Sequence, residues 1–267
     1  MPITESPVDL AFAVKLAPEK AVDYFRQKGY ELTWDWFEMW QEAHAKAFTV
    51  AKVMRMDVLQ DIRGLVDKSL GEGMGWSDFQ REMRSLLARK GWGPEGPDLD
   101  LMGVAAPWRV KTIYETNMQT ALMVGRYGEM MENVDDRPYW MYVAVMDSRT
   151  RPAHAALHGK VFRYDDPFWD HFYPPNGFRC RCRVRALTAG QVQAQGIKVE
   201  TADGKLGTIE KLVSHKTGEL IDVAEYTDPF TGLKVSPDVG WDYNPGKAAW
   251  IPDLRKYDTD IRKLYEE

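Results

Sequence analysis

The spacing of apolar residues changes close to residue 135, and this change limits the possible folds more than any other feature of the sequence. Before it, apolar side chains recur at the period of an amphipathic helix. After it comes the run YWMYVAVMD, residues 139–147, whose aromatic and β-branched residues are typical of a buried strand. The pattern predicts an α+β protein with a helical domain, residues 1–135, and a mixed α+β domain, residues 136–267, that has short antiparallel strands and a β-rich C-terminal extension.

Helices dominate the predicted first half, and short strands dominate the second. The helices are expected at about residues 18–29, 33–65, 77–87 and 108–132. Ser77 is in position to cap the third of them, and the segment 91–107, rich in glycine and proline, is predicted to be a loop. Strands are expected at residues 139–146 and in the segments KVFRY, RCRVRAL, IKVET and LVSHKTGELIDVAEYTDP.

The composition predicts a globular protein without a membrane partner. Of 267 residues, 44% are hydrophobic and 28% are charged, which is ordinary for a globular chain. The sequence has no run of about 18 apolar residues, and its N-terminus lacks the pattern of a secretory signal. The net charge of −5 excludes a generic nucleic-acid binder, so any anion site must be a local patch. Two cysteines do not make a disulfide framework, which favours a reducing compartment.

Histidines and cysteines are concentrated between residues 147 and 185. The candidate metal ligands are His154, His158, His171, Cys180 and Cys182. The segment HAALH places two histidines four residues apart, which on a helix puts both imidazoles on one face. The zinc-protease motif requires Glu after the first histidine, and Ala155 stands there, so a metalloprotease is excluded.

Two interpretations of these residues remain open. In the first, they hold zinc in a mixed Cys/His site, although the Cys-x-Cys spacing is shorter than that of the usual zinc knuckle. In the second, which we favour, the histidines are hydrogen-bonded parts of the fold and the thiols are buried without metal. On that interpretation no cofactor is expected.

The segment RCRCRVR, residues 179–185, alternates arginines with apolar residues. On a strand the arginines face one way, whereas Cys180, Cys182 and Val184 face the other. In a structural interpretation the arginines pair with Asp165, Asp166 or Asp170. In a functional one they bind phosphates or an acidic partner surface. The candidate DNA- or partner-binding residues are Arg149, Arg151, Arg179, Arg181, Arg183 and Arg185.

The same segment contains no convincing catalytic set. Asp147 or Ser148 is predicted to cap a short helix that has Pro152 in its first turn and ends at Gly159. An Asp147–His154 pair lacks an accompanying nucleophile, and no glycine-rich phosphate loop is present. The chain is therefore predicted not to be an enzyme. The alternatives are a metal-dependent nuclease, built on Asp147 and the three histidines of the segment, and a DNA-binding module.

Several strings of the sequence resemble one family. DSRTRPAHAALHGKVF, DDPFWD and YPPNGFRCRCRV are similar to the signature of the phage Mu F-like proteins, also described as the SPP1 gp7-like minor head proteins. AVDYFRQKGY, FTVAKVMRMDVLQDIR, WRVKTIYETNMQTALMVGRY and RPYWMYVAVMD agree upstream in the same order, so the resemblance covers about residues 18–186. Many relatives carry His-x-Asn before Cys-x-Cys, whereas this chain has Asn176-Gly-Phe-Arg179, which disfavours the metal interpretation.

The resemblance implies a minor capsid or head morphogenesis protein of a tailed phage or prophage. Such a protein associates with the portal vertex of the virion and assists head assembly, DNA packaging or DNA ejection, after assembly in the host cytoplasm. The implied partner is the portal protein, and further candidates are the major capsid protein, a scaffold protein and phage DNA. The resemblance assigns no catalytic role to the residues of the signature.

Aromatic residues near position 35 suggest where the portal would bind. In LTWDWFEMW, Trp36 and Trp40 share one helical face, while Trp34 and Phe37 point elsewhere. Either neighbouring helices such as 108–132 cover both faces, or Trp34 and Phe37 belong to an exposed binding surface. These two residues are the candidate portal contacts.

Overall fold

The computed structural model describes residues 19–35, 37–38, 41–91, 106–215 and 217–249. The helices are α1 Glu19–Gln27, α2 Gln41–Lys46, α3 Met56–Glu72, α4 Trp76–Arg89, α5 Pro107–Met131, α6 Pro152–Ala156, α7 Phe168–Phe172, α8 Ala189–Ala194 and α9 Pro245–Ala249. The strands are β1 Gly29–Tyr30, β2 Ala47–Phe48, β3 Tyr139–Val143, β4 Val161–Arg163, β5 Arg183–Leu187, β6 Val199–Glu200, β7 Leu206–Leu212, β8 Leu220–Thr227 and β9 Lys234–Val235. The predicted α+β class is confirmed.

A helical core fills the first half of the molecule. Helices α1, α3, α4 and α5 pack their apolar stripes together, and Ile62, Phe79 and Met118 are fully buried among them. Helix α1 lies very close to α5, because Gly125 has no side chain: a Cβ there would be 2.9 Å from the Ala21 backbone nitrogen. Helices α1, α4 and α5, which the sequence predicts as separate helices, begin and end within two residues of their predicted bounds.

The predicted long helix from Thr33 through Leu65 is wrong. Helix α2 ends at Lys46, β2 pairs in parallel with β1, and a new helix begins only at Met56. Between them Phe48, Val50 and Val53 enter the helical core from non-helical backbone. Their spacing of two and three residues is compatible with extended backbone as well as with a helix. Packing against the helical core therefore selected the extended conformation. Trp36 and Trp40 lie outside the described residues.

Ser77 does not cap α4. The helix begins one residue earlier, at Trp76, and its N-cap position is Gly75, which makes no side-chain capping bond. Glycine is acceptable at this position because the extended N-cap conformation leaves the first backbone N–H groups to solvent.

A second core, rich in aromatic residues, lies against a four-stranded sheet of order β5-β3-β4-β6. Strands β3, β4 and β5 are antiparallel as predicted, but β6 is parallel to β4. Helix α7 places Phe168 on Phe162 of β4, with ring centroids 4.0 Å apart, and Trp169 against Trp140 of β3 at 5.8 Å. Strand β3 stops at Val143, three residues before its predicted end.

The remaining strands form a separate antiparallel sheet of order β7-β8-β9. Tyr226 of β8 reaches the aromatic core, where its ring contacts Phe162 and Phe168. The following segment returns to the helical half, because α9 packs on α5 and α2. Gly246 makes this possible: a Cβ there would be 2.3 Å from the Cβ and Cγ atoms of Tyr127.

Helix α5 belongs to both cores. Its first part, including Val110 and Met118, is buried in the helical core, and its last part, including Met123, Tyr127 and Met130, is buried in the aromatic core. The predicted boundary at residue 135 falls just after this helix, and the division into two domains stays a prediction. Among the described helices, none combines the length and apolar character needed to cross a bilayer.

Candidate functional site

Three side chains, His154, Cys180 and Cys182, converge in what we call the His–Cys cluster. His154 Nδ1 lies 3.6 Å from Cys180 Sγ and 3.4 Å from Cys182 Sγ. Each residue is at most 5% exposed, and one candidate ligand atom from each lies within 4.8 Å of the others. In the described part of the chain this is the one group of three or more His, Cys, Asp and Glu residues with such ligand spacing.

Local structure explains why these three residues meet. Pro152 starts α6, which carries His154, and its fixed φ suits the first turn of a helix. The turn after α6 ends at Gly159, whose φ of 81° favours glycine and whose N–H donates to the Tyr142 carbonyl at 2.8 Å. The chain is thereby folded back beside β3, and the segment leading into β5 brings the two cysteines against His154.

The segment before the cysteines is held by Gly177. A Cβ at this position would be 2.1 Å from Asp238 Oδ2 and 3.1 Å from an Arg151 guanidinium nitrogen. Arg151 in turn donates to the Phe178 carbonyl at 2.8 Å and pairs with Asp238 at 3.3 Å. A side chain at this position would have to displace the Asp238 carboxylate, so glycine lets this ion pair lie against the cysteine segment.

The environment of the cluster acts differently on its two thiols. Burial opposes ionisation of Cys180, but hydrogen bonds with Cys182 and His154 outweigh it and hold its pKa well below the usual value. The pKa of Cys182 is raised by its hydrogen bond with Cys180 and by burial. Tyr142, whose pKa is raised by burial, lies beside the thiols and donates to Asn176 Oδ1 at 2.9 Å. The arrangement can therefore accommodate one negative charge on sulfur.

Two predicted ligands are not in the cluster. Helix α6 ends at Ala156, so His154 and His158 do not share a helical face, and His158 Nδ1 accepts a hydrogen bond from the Ala144 N–H at 3.2 Å. His171 Nδ1 lies 2.6 Å from Asp242 Oδ1, so this ring nitrogen is engaged with a carboxylate. His158 and His171 therefore lie outside the His–Cys cluster, and their role as metal ligands stays a prediction.

The alternation predicted for residues 179–185 is present. Cys180, Cys182 and Val184 are buried, while the four arginines are half-buried or exposed. The strand itself is shorter than predicted, because β5 begins at Arg183 and Arg179 has a positive φ of 57°. The inward residues are held by the cluster and the aromatic core, so the alternation continues beyond the regular strand.

Arg179 and Arg181 pair with other acids than those predicted. Arg179 donates to Glu115 of α5 at 2.9 Å, and Arg181 makes two bonds to Asp147, at 2.8 and 2.6 Å. The predicted partners are engaged elsewhere: Asp165 pairs with Arg163, Asp166 accepts backbone N–H bonds from Phe168 and Ala202, and Asp170 pairs with Lys247. Much of the positive charge of this face is thus balanced by carboxylates. Whether it binds DNA or a partner stays a prediction.

Asp147 acts on a loop and not as a helix cap. It accepts from the Arg149 N–H at 3.0 Å and from the Arg181 guanidinium, and that pairing lowers the pKa of the carboxyl. The N-cap of α6 is Arg151, which makes no side-chain capping bond, so the predicted cap by Asp147 or Ser148 is wrong. A carboxylate already bound by two arginines is poorly placed to act as a base for His154.

An apolar cavity of about 1320 Å³ opens between the start of α5, the loop after β2 and the sheet of β7. Its aromatic lining consists of Trp34, Trp108, Phe178, Trp241 and Tyr243. Trp34 is 48% exposed and Trp108 is 65% exposed, and Lys52 lies over the Trp34 ring at 5.8 Å. Phe37, the other predicted portal contact, is half-buried.

The family model for phage Mu protein F-like proteins matches residues 60–185, from α3 to β5, and this range includes the whole His–Cys cluster. The chain is also 45% identical, over 98% of its length, to protein F of Escherichia phage Mu. The chain belongs to the phage Mu F-like family. The name of the Mu protein assigns that relative to capsid assembly.

A second member is the Mu-like prophage FluMu F protein of Haemophilus influenzae, 42% identical over 88% of the chain. This Mu F-like chain spans 61% of the Mu protein and 57% of the FluMu protein, so both relatives are longer. No solved structure matches it significantly.

Sequence reasoning about this Mu F-like chain missed several residues around both sites. Tyr142 and Asn176 form a buried hydrogen-bonded pair beside the cysteines, and Trp108 and Trp241 line the cavity. Tyr142 was detectable as an inward position of β3, two residues from the buried Trp140. Asn176 could not be distinguished from a turn residue in the sequence, because asparagine is common both in turns and in buried hydrogen-bonded pairs.

Proposed function

We propose that this chain takes part in assembly of a phage head and acts at the portal vertex, where it contacts the portal protein. The observation that carries the proposal is the 45% identity to a protein named for capsid assembly, extended over nearly the whole chain. The chain matches 61% of the Mu protein, so we propose this role only for the part that the two proteins share. A protein at the portal vertex would also be placed to act in DNA packaging and ejection, and we extend the proposal to these steps.

The apolar cavity is the surface that best suits a protein partner. Exposed aromatic residues around a depression are typical of binding sites, since burying them on binding removes apolar area from water. Trp34 and Trp108 line the cavity and keep 48% and 65% of their surface accessible. The charged lining is mixed: Lys52, Arg109 and Lys211 are basic, and Asp35, Glu210 and Asp238 are acidic. A portal segment that inserts apolar side chains would be complementary to the aromatic part of the cavity.

The proposal is tested by co-expressing the chain with its cognate portal protein and purifying through a tag on the portal. Wild type should be recovered, whereas a Trp34→Ala, Trp108→Ala variant should be recovered at least tenfold less, because central aromatic residues contribute about 2 kcal/mol or more to many interfaces. Adding Phe37→Ala tests the second residue that the sequence predicts as a portal contact in the same way.

A matched control is Phe230→Ala, which removes an aromatic residue that is 62% exposed but lies in the turn between β8 and β9. It should be recovered like wild type. Equal recovery of the Trp34, Trp108 variant would remove the cavity from the interface. Loss of all variants, wild type included, would contradict portal contact itself and leave the major capsid protein or a scaffold protein as the next partners to test.

The ion pairs of the arginine face argue against DNA contact through it. The two-bond pairing of Arg181 with Asp147 and the pairing of Arg179 with Glu115 reduce the charge available for phosphates. If several phosphates were nonetheless bound, the affinity for DNA would fall steeply with salt concentration. A filter-binding titration at two ionic strengths measures this slope, and the ion pairs lead us to expect no salt-sensitive binding.

A further inference from the structure

We propose that His154, Cys180 and Cys182 bind one zinc ion. The three residues come from α6 and from the segment that leads into β5, and the polypeptide brings their donor atoms together below the surface. The inference is independent of portal contact, since the cluster and the apolar cavity share no lining residue.

The distances between donor atoms fit the coordination shell of zinc. Zinc binds thiolate sulfur at about 2.3 Å and imidazole nitrogen at about 2.0–2.1 Å in tetrahedral geometry, which places sulfur and nitrogen about 3.5 Å apart. The observed separations from His154 Nδ1 are 3.6 Å to Cys180 Sγ and 3.4 Å to Cys182 Sγ. An ion can therefore be placed between the three atoms with little movement of the backbone.

Hydrogen bonding alone accounts less well for the cluster. A neutral imidazole nitrogen that accepts has one lone pair in the ring plane, so His154 Nδ1 can accept from one of the two thiols at a time. The other thiol then bonds to the first sulfur instead, so hydrogen bonds join the three donor atoms only one after another, in a site where all three residues are at most 5% exposed. One cation satisfies both sulfurs and the nitrogen together.

The donor types select the class of metal. Thiolate and imidazole ligands suit zinc and similar soft or borderline ions, whereas magnesium and calcium prefer oxygen. Three protein ligands leave one tetrahedral position that this cluster does not fill. The Tyr142 hydroxyl is already bonded to Asn176 Oδ1 at 2.9 Å and is not needed as a ligand. Asn176 thus has a structural role next to the cluster.

The ion would join α6 to the start of β5. His154 is 26 residues from Cys180, and the intervening chain contains β4 and α7, which carry much of the aromatic core. Because a metal site forms only when its ligands are brought together, binding is coupled to folding. Zinc would therefore stabilise the packing of α7 on the sheet.

The first test measures metal in the full chain purified in reducing buffer from cells supplemented with zinc, without chelator. We expect about one equivalent of zinc by elemental analysis and a melting temperature that falls when a strong zinc chelator is added. The matched variants are Cys182→Ser, which should lose most of the bound zinc, and His158→Gln and His171→Gln, which should retain it. Loss of zinc in all three variants alike would point to general unfolding and not to these ligands.

The second test does not depend on any variant folding. Wild-type chain freed of zinc is titrated with Co²⁺, and the absorption of a tetrahedral complex with thiolate-to-cobalt charge transfer should appear and saturate at one equivalent. Substoichiometric zinc together with no cobalt signal would overturn the proposal. In that case titration with a thiol reagent separates two free cysteines from a Cys180–Cys182 disulfide.

Discussion

His171 is paired with Asp242, and this makes one part of the stability dependent on pH. The hydrogen bond to Asp242 raises the pKa of the imidazole above its ordinary value of 6.5, helped by Asp170 and opposed by burial and by Lys247. A group whose pKa is higher in the folded state stabilises that state fully below its unfolded pKa, and the stabilisation is lost as the pH rises through the folded pKa. His171→Gln should therefore cost more stability at pH 5.5 than at pH 9.

The measurement is urea unfolding of wild type and His171→Gln at both pH values. His215→Gln is the matched control, because His215 lies in an exposed turn between β7 and β8. Its stability difference from wild type should be small at both pH values. A cost of His171→Gln that does not shrink at pH 9 would mean that the ring contributes through packing and not through its charge.

At the scale of single residues, the sequence predicted which side chains face inward better than it predicted which residues they contact. The inward position of Cys180 and Cys182 followed from local alternation, which depends only on the chain's own period. The acids that neutralise Arg179 and Arg181 are 64 and 34 residues away, and which one is adjacent depends on how α5 and the loop after β3 are placed. The grouping of His154 with the cysteines, without the other two histidines, depended on the tertiary structure in the same way.

At the scale of elements, helix α9 can pack closely on α5 because Gly246 has no side chain. The Cβ of alanine would overlap the first atoms of the Tyr127 side chain, which are fixed by its backbone and cannot turn away. We expect Gly246→Ala to lower the free energy of unfolding by about 1–3 kcal/mol, as overpacking of a core does. Thermal unfolding followed by circular dichroism measures the change.

Gly64→Ala in α3 is the matched control for that substitution. A Cβ at Gly64 meets nothing within 4 Å, and alanine in a helix interior is favoured over glycine by about 0.5–1 kcal/mol. This variant should be as stable as wild type or more stable. If the two alanine variants change stability in the same direction, the contact between α9 and Tyr127 does not limit the packing.

Elements with a strong local signal were the predictable ones. Helices α4 and α5 and strands β4 and β8 are present where the periodicity indicated them. The segment 47–55 was not, because Phe48 and Val50 satisfy a helical pattern and an extended one, and the helical core selected the latter. The parallel pairing of β1 with β2 joins short segments 18 residues apart that have no sequence signature of their own.

At the scale of the whole molecule, the two cores should not separate cleanly at residue 135. A chain that ends there would keep α5 but expose Met123, Tyr127 and Met130, which the aromatic core buries in the full chain. We expect it to bind a hydrophobic dye and to unfold with a broad transition. The full chain should unfold in one transition, with tryptophan fluorescence and far-ultraviolet circular dichroism giving the same midpoint. Two separated midpoints would establish independent domains and contradict this expectation.

The continuous path of α5 through both cores also has a kinetic consequence. Amide protons of a buried helix exchange with deuterium only when the surrounding structure opens. Around Met118–Val124 the helix leaves one core and enters the other, so its backbone is enclosed on both sides of that passage. Exchange there requires both cores to open, and these amides should be among the last in the molecule to take up deuterium.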